Sequence, residues 1–162
     1  MVWELLGTTT LGSAGDTIDV TIIPKQFLFI LCHTVGGDGN IKQGFRCGSG
    51  SGVDTGNNYV YRYELNTGGS NISINQVRGL LMGITTDKDS FSTTYISNIN
   101  GEEKLFIANS QELNSADSGT APDKFQVVAK WTDTNQITEF QIYNTESGNF
   151  NTNSICTIYG TD

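Results

Sequence analysis

The sequence predicts an all-β protein, a two-sheet antiparallel β-sandwich of jelly-roll type with about ten short strands and little helix. Three observations carry this prediction. Apolar and polar residues alternate over several short segments, which is the period of a half-buried strand. Clusters of Gly, Ser, Thr and Asn separate these segments and are typical of turns. Only 16% of the residues are charged, so strong helix formers are scarce.

The 162-residue chain is predicted to be one domain, spanning 1–162, because its length suits a single core and its composition does not change along the chain. Its organising element is the run 27–33, Phe-Leu-Phe-Ile-Leu-Cys-His, which is apolar on both alternating faces. This run is too short for an ordinary buried helix and lies between Pro24 and the glycine-rich segment 36–40. We therefore predict a central strand that is covered on both faces.

The rest of the first half is predicted as further strands and one long loop. Residues 3–10 end in three threonines and predict a strand near an edge. Residues 16–23 alternate clearly, so one face is expected in the core and the other in water. Residues 41–47 predict a shorter strand. The glycine- and serine-rich segment 48–58 predicts a flexible surface loop, and Tyr59–Leu65 follows as a strand.

The middle of the chain has a less regular pattern. Residues 66–75 are rich in Gly, Ser and Asn and are predicted as a loop. Residues 76–84 fit either one helical turn or a short strand, and both alternatives stay open. Residues 91–99 alternate as a strand. The Asn-Gly pair at 100–101 then predicts a tight hairpin leading into a strand at 104–109.

Three strands complete the predicted sandwich after a polar loop at 110–123. They lie at 124–132, 136–144 and 154–160, and each carries apolar residues at alternating positions. No repeat of propeller or solenoid period is found along the chain.

The charge balance argues against nucleic acid as a partner, and the hydropathy pattern argues against a membrane. Nine Lys and Arg against seventeen Asp and Glu give a net charge of −8, which would repel nucleic acid. No run approaches the roughly 18 apolar residues that span a bilayer, so we expect no membrane partner. The N-terminal residues lack a basic region followed by a long apolar one, so we also expect no signal peptide.

The three cysteines show no metal-binding or redox spacing. Cys32, Cys47 and Cys156 are widely separated and form no Cys-x-x-Cys pair. Cys32 and Cys156 lie in apolar strand patterns, where a free cysteine behaves as a small hydrophobe. We predict buried free thiols, and one disulfide remains open as an alternative.

The candidate catalytic chemistry is sparse, and we predict no catalytic residues, no enzyme activity, no bound metal and no cofactor. His33 is the only histidine, and it ends the most apolar run of the chain. Cys32 cannot act with it, because adjacent strand residues point to opposite faces. His33 is therefore predicted to be a buried, hydrogen-bonded structural residue. Carboxylates are numerous but scattered, and no loop has the ligand spacing of a calcium site.

Tyr59, Tyr61 and Tyr63 are the candidate ligand or interface residues. They recur at period 2 and so share one face of a predicted strand. Exposed rings in such a ladder could stack on a sugar. The opposite face carries Arg62 and Glu64, with Val60 as its only apolar residue, so the tyrosines must face inward for the strand to bury much apolar surface. A packing or subunit-contact role is the preferred interpretation.

Four segments of the chain resemble a group of small tailed-bacteriophage proteins, many of them from marine viruses. The opening 3–18 reads WELLGTTTLGSAGDTI, and 96–105 reads ISNINGEEKL. The segment 119–132 runs from GTAP to VAKWT, and the close at 158–162 reads IYGTD. The order and spacing match over nearly the whole length, whereas the region 48–90 departs most from the group.

The resemblance implies a virion structural protein, a β-sandwich displayed on the particle. Its expected role is capsid decoration through self-association and contact with the major capsid protein or another virion protein. Closed symmetry is the usual solution for such modules, so a homotrimer is favoured. The expected location is the virion.

The alternative function is a carbohydrate-binding or host-attachment module of a phage fibre or tail. It would recognise a cell-surface glycan through the loops at 48–58 and 66–75. Loss of glycan binding on replacing Tyr59 or Tyr61 by alanine would favour this alternative.

Overall fold

The protein folds into two packed antiparallel sheets of eight and four strands. A computed structural model describes residues 2–37, 39–50, 52–65, 72–83, 87–113, 119 and 121–162. These ranges contain twelve strands and no helix, and therefore no helix long and apolar enough to cross a membrane. The predicted all-β, two-sheet architecture is confirmed, whereas jelly-roll topology is not.

The strands run in chain order through the described ranges. They are β1 (Glu4–Thr10), β2 (Thr17–Thr21), β3 (Phe27–Thr34), β4 (Gln43–Gly48), β5 (Tyr59–Leu65), β6 (Ile72–Val77), β7 (Leu80–Leu81), β8 (Ser90–Ser97), β9 (Lys104–Glu112), β10 (Asp123–Trp131), β11 (Glu139–Asn144) and β12 (Ile155–Thr161). The larger sheet has the order β1-β12-β3-β8-β9-β10-β5-β6, and the smaller one has the order β2-β11-β4-β7.

The hydrophobic core lies between the two sheets. The smaller sheet contributes Ile18, Phe45 and Phe140, and the larger sheet contributes Phe106 and Trp131 among others. Phe45 contacts both Phe106 and Phe140, with ring centroids 5.7 and 5.4 Å apart. The predicted alternation of residues 16–23 is confirmed, because Ile18, Val20 and Ile22 are all buried. The predicted edge position of the first strand is also confirmed.

The central strand is covered on one face only, so the prediction of a doubly covered strand is wrong. β3 lies inside the larger sheet between β12 and β8. Its inward residues Leu28, Ile30 and Cys32 are buried, whereas the alternate residues, including Phe29 and His33, are only half-buried. The smaller sheet packs against one side of the larger sheet, and no part of the described chain covers the other side of β3 completely.

A strand occupies part of the predicted loop 66–75, so that prediction is wrong for its second half. Ile72–Val77 forms β6, which pairs with β5 through Ile72–Tyr63 and Ile74–Tyr61. Of the open alternatives for 76–84, the short strand is correct, because Leu80–Leu81 pairs with β4.

Several predicted loops fall partly outside the described residues. The residues of these loops that lie outside the described ranges are 38, 51, 66–71, 84–86, 114–118 and 120. The predicted loop 110–123 is shorter than expected, because β9 extends to Glu112. The glycine-rich turn after β3 contains Gly39 at a φ of 85°, a conformation that favours glycine.

Lys104 holds the turn between β8 and β9 together from the inside. Its side chain is 0% exposed. The ammonium group donates hydrogen bonds to the carbonyls of Ile99 at 2.6 Å and Thr134 at 2.9 Å, and also to that of Glu102. Gly101 in this turn has a φ of 84°, so the Asn-Gly pair marks a hairpin as predicted. The lysine therefore joins this hairpin to the β10–β11 connection.

Asp54 anchors the loop that follows β4, within the segment 48–58 that was predicted to be a flexible surface loop. One carboxylate oxygen accepts hydrogen bonds from Trp131 Nε1 at 2.7 Å and from Asn58 at 2.8 Å. The other accepts the backbone N–H of Gly56 at 2.7 Å. Burial alone would raise the pKa of the Asp54 carboxyl, but the three hydrogen bonds outweigh it and lower the pKa. The described part of this loop is thereby attached to the core tryptophan.

All three cysteines are buried and free, as predicted. Cys32 on β3 lies directly opposite Cys156 on β12. A hydrogen bond with Cys156, together with burial, raises the pKa of the Cys32 thiol, and burial raises that of Cys47. Low thiolate content makes such groups poor nucleophiles.

Candidate functional site

The outer face of the eight-stranded sheet, turned away from the smaller sheet, carries an apolar row across six neighbouring strands. Strand register places each member directly opposite the next: Leu5, Tyr159, Phe29, Tyr95, Ile107 and Val128. With strands about 4.8 Å apart, the row spans roughly 24 Å. We call these six residues the apolar row.

Most of the apolar row is open to solvent in the single chain. Tyr95 is 52% exposed and Ile107 is 59% exposed, and Leu5 and Val128 are similarly exposed. Scattered exposed hydrophobic residues are ordinary on protein surfaces, but contiguous ones mark an interaction surface. The strand register makes the row contiguous, so it is the candidate interaction surface among the described residues.

Aromatic contacts give the middle of the row a defined shape. The rings of Phe29 and Tyr95 stack with centroids 4.6 Å apart, and Trp3 meets Phe29 edge-on at 6.1 Å. Trp3, Tyr95 and Ile107, with Phe27 and Leu105, line a shallow apolar depression of about 450 Å³. Such rings lose little conformational entropy when they are covered, which suits them to be anchors of a contact.

Charge is confined to one side of this outer face. On β1, β12, β3, β8 and β9, all of which lie within the described ranges, no outward-facing position carries Asp, Glu, Lys or Arg. The charged positions lie on β10 and β5: Lys124, Lys130, Arg62 and Glu64. Most of the outer face is therefore uncharged in a chain whose net charge is −8.

The outer face of the smaller sheet is polar. Gln141 of β11 donates to Asp19 of β2 at 2.9 Å and accepts from Arg46 of β4 at 3.4 Å. The guanidinium of Arg46 also lies 3.7 Å from the centre of the Tyr143 ring. This series of polar side-chain contacts is typical of a solvated sheet face. The two outer faces of the sandwich therefore differ in character, and only one has the composition of a contact surface.

His33 lies on the outer face of the larger sheet. The prediction that it is buried is therefore wrong. It is half-buried and lines a shallow depression with Asp89, Phe91 and Gln111. The Asp89 carboxylate accepts the backbone N–H of Gly36 at 2.8 Å. Cys32 points into the core, so the predicted divergence of the Cys32 and His33 side chains is confirmed.

Tyr59, Tyr61 and Tyr63 lie on the core side of β5. Tyr59 is 0% exposed, and its hydroxyl accepts the Cys47 N–H at 3.1 Å and lies 3.0 Å from the carbonyls of Cys47 and Asp54. Tyr61 and Tyr63 pack half-buried against the core, and Tyr63 stacks on Phe125 at 4.9 Å. The Tyr59 ring offers no surface to a ligand in this structure. A ligand or interface role for Tyr61 and Tyr63 stays a prediction.

The buried tyrosines predict a loss of stability in alkali. Burial raises the pKa of Tyr59 above its ordinary value of 10.0 and raises that of Tyr61 to about 12. The unfolded chain therefore releases these protons first, so stability that is fully present below pH 10 is lost as the pH rises further. The expected loss from Tyr59 alone is about 1.4 kcal/mol per pH unit.

Urea unfolding between about pH 8 and about pH 11 measures this effect as a falling free energy of unfolding. Tyr59→Phe should reduce the alkaline slope without abolishing it. Tyr61 and the buried thiols of Cys32 and Cys47 also have raised pKa values, so they continue to contribute to the loss of stability in alkali. A free energy of unfolding that stays level through pH 11 would contradict the assignment.

The described residues contain no group of three His, Cys, Asp or Glu side chains placed to hold a metal ion. The expectations of no cofactor and no enzyme activity remain predictions.

The sequence interpretation missed the apolar row. A signal for it was available on β9, where Leu105 and Ile107 alternate with the buried Phe106 and Ala108, so both faces of the strand are apolar.

No protein-family model matches the chain, and no curated protein matches it.

Proposed function

We propose that this chain is a structural protein of a bacteriophage virion that decorates the capsid through self-association and contact with the major capsid protein or another virion protein. The observation that carries the proposal is the apolar row on the uncharged part of the outer face. Contiguous apolar surface of this kind often marks a site of contact with another macromolecule. The resemblance of the four sequence segments to tailed-bacteriophage proteins supports the virion as the setting.

The buried chemistry of the chain fits a structural role better than a catalytic one. Lys104 and Asp54 use their charges to hold turns, and Tyr59 uses its hydroxyl in the same way. Closed symmetry would let one repeated contact build the displayed unit, and a homotrimer is the form that the resemblance favours.

The outer face fits a protein contact better than a glycan platform. A sugar needs an exposed ring flanked by hydrogen-bonding groups. In the apolar row, Phe29 and Tyr95 stack on each other, and the neighbouring residues Trp3, Leu105 and Ile107 offer few polar atoms. The carbohydrate-binding alternative therefore has less support from this face.

Purified particles test the proposal directly. We expect quantitative mass spectrometry of virions to find the chain at a copy number that is a simple multiple of the capsid lattice. We also expect the recombinant protein to bind particles that lack it. Its absence from particles, combined with failure to bind them, would overturn the proposal, and saturable binding to a glycan array would favour the attachment module instead.

A further inference from the structure

Resting on the proposed function, we infer that the outer face of the eight-stranded sheet is the contact between copies of this chain, with the apolar row at its centre. The occupant is a second copy, and contact with the capsid uses another surface. Three properties of the face carry this inference: its charge, its size and its internal arrangement.

Charge selects a second copy as the occupant. The chain has a net charge of −8, so most orientations of two copies oppose like charges. The outward positions of β1, β12, β3, β8 and β9 carry no Asp, Glu, Lys or Arg, so this region lets two copies approach without that penalty. A partner recognised by its own charge would instead require charges at the centre of the face.

The size of the face suits a stable contact. Six strands at about 4.8 Å and four outward rows at about 6.8 Å cover roughly 800 Å². This is about the area that each partner buries in an interface of standard size. The depression of about 450 Å³ beside Tyr95 can accept a side chain from the neighbouring copy.

The arrangement of residues matches that of a protein interface. The Phe29–Tyr95 stack lies in the middle of the row, where anchor residues usually cluster. Polar residues border the row on the next positions along the strands, as in Thr93 and Asn109. The charged residues Arg62 and Lys130 lie at the margin.

The same inference explains why β3 is apolar on both faces. Its inward residues are covered by the smaller sheet, and its outward residues Phe27, Phe29 and Leu31 stay half-buried in the single chain. A second copy supplies the missing cover, so the full burial indicated by the sequence is reached only in the assembly.

Light scattering and sedimentation equilibrium of the purified full chain test the inference. We expect a mass of two or three copies at about 100 µM, a concentration that saturates a micromolar contact. Ile107→Lys should raise the dissociation constant at least about 100-fold, because it places an unpaired charge in a desolvated contact. Since Ile107 is 59% exposed in the single chain, the variant should keep the circular dichroism spectrum of the parent.

Thr21→Lys is the matched control, since it places the same charge on an exposed strand position of the smaller sheet. It should leave the mass unchanged. A monomer at about 100 µM overturns the inference, as does an oligomer that Ile107→Lys leaves intact. If Ile107→Lys dissociates the oligomer but the chain is absent from purified particles and fails to bind them, the inference is supported and the proposed function is overturned, so the two failures are distinguishable.

Discussion

Replacing Lys104 by methionine is expected to lower the free energy of unfolding by about 3 kcal/mol. Methionine fills similar volume but donates no hydrogen bond, so the carbonyls of Ile99, Glu102 and Thr134 lose their shared donor. A buried acceptor left without a donor costs about 1 to 3 kcal/mol. Burial lowers the pKa of Lys104, which indicates that the site already bears a desolvation cost for this charge. Removing that cost offsets part of the loss.

The matched control for this variant is Lys130→Met on the outer face. Lys130 pairs with Glu103 at 2.7 Å, but both side chains are well exposed. Exposed ion pairs contribute about 0 to 1 kcal/mol, so this control should change the free energy of unfolding by less than about 1 kcal/mol. Urea unfolding at neutral pH measures both variants. If both variants lowered the free energy of unfolding equally, the hydrogen bonds of Lys104 would not stabilise the hairpin as described.

Replacing Asp54 by alanine is expected to lower the free energy of unfolding by about 3 kcal/mol. The variant leaves the indole N–H of Trp131 buried without its acceptor, because Trp131 is 1% exposed. It also releases Gly56 and Asn58, so the described part of the loop should exchange its amide hydrogens faster.

The effect of Asp54→Ala should depend on pH with a definite sign. The folded-state pKa of Asp54 lies below the ordinary value of 3.8. The carboxylate therefore contributes stability above the unfolded pKa that is lost as the pH falls through the folded pKa. Urea titrations at several pH values should show the gap between the variant and the parent narrowing in acid.

Two variants complete the test of Asp54. Asp19→Ala removes a single exposed hydrogen bond with Gln141 and should change the free energy of unfolding by less than about 0.5 kcal/mol. In a double-mutant cycle, Trp131→Phe and Asp54→Ala should couple by at least about 1 kcal/mol. Additive effects of the two changes would refute the proposed link between the loop and the core.

Alternation along single strands predicted much of the fold. On β5, the charged residues Arg62 and Glu64 left only the tyrosine face for the interior, and the tyrosines lie there. On β2, the same pattern identified Ile18 and Val20 as core residues. These predictions were accurate because the pleat of a strand decides locally which residues share a face.

Residues whose environment is not indicated by the composition around them were harder to predict. β6 begins inside the segment 66–75, whose Gly, Ser and Asn content indicated a loop, yet Ile72 and Ile74 pair with the tyrosines of β5. His33 was expected in the interior because its neighbours are apolar, but its parity along β3 places it outside. For β6, strand pairing overrides the local composition. For His33, the position of the smaller sheet decides which face of β3 is buried.

The sequence by itself determined the all-β architecture, the residues that share a face on strands such as β2 and β5, and the buried state of the three cysteines. Only the tertiary structure decided that the smaller sheet covers one side of the larger sheet. That choice leaves the apolar row exposed. The physical reason is that side-chain alternation follows from the geometry of a single strand. The burial of a sheet face, by contrast, requires a second surface that is built from distant segments. A strand that is apolar on both faces predicts burial of both faces, but it does not specify which segment or which chain would bury them.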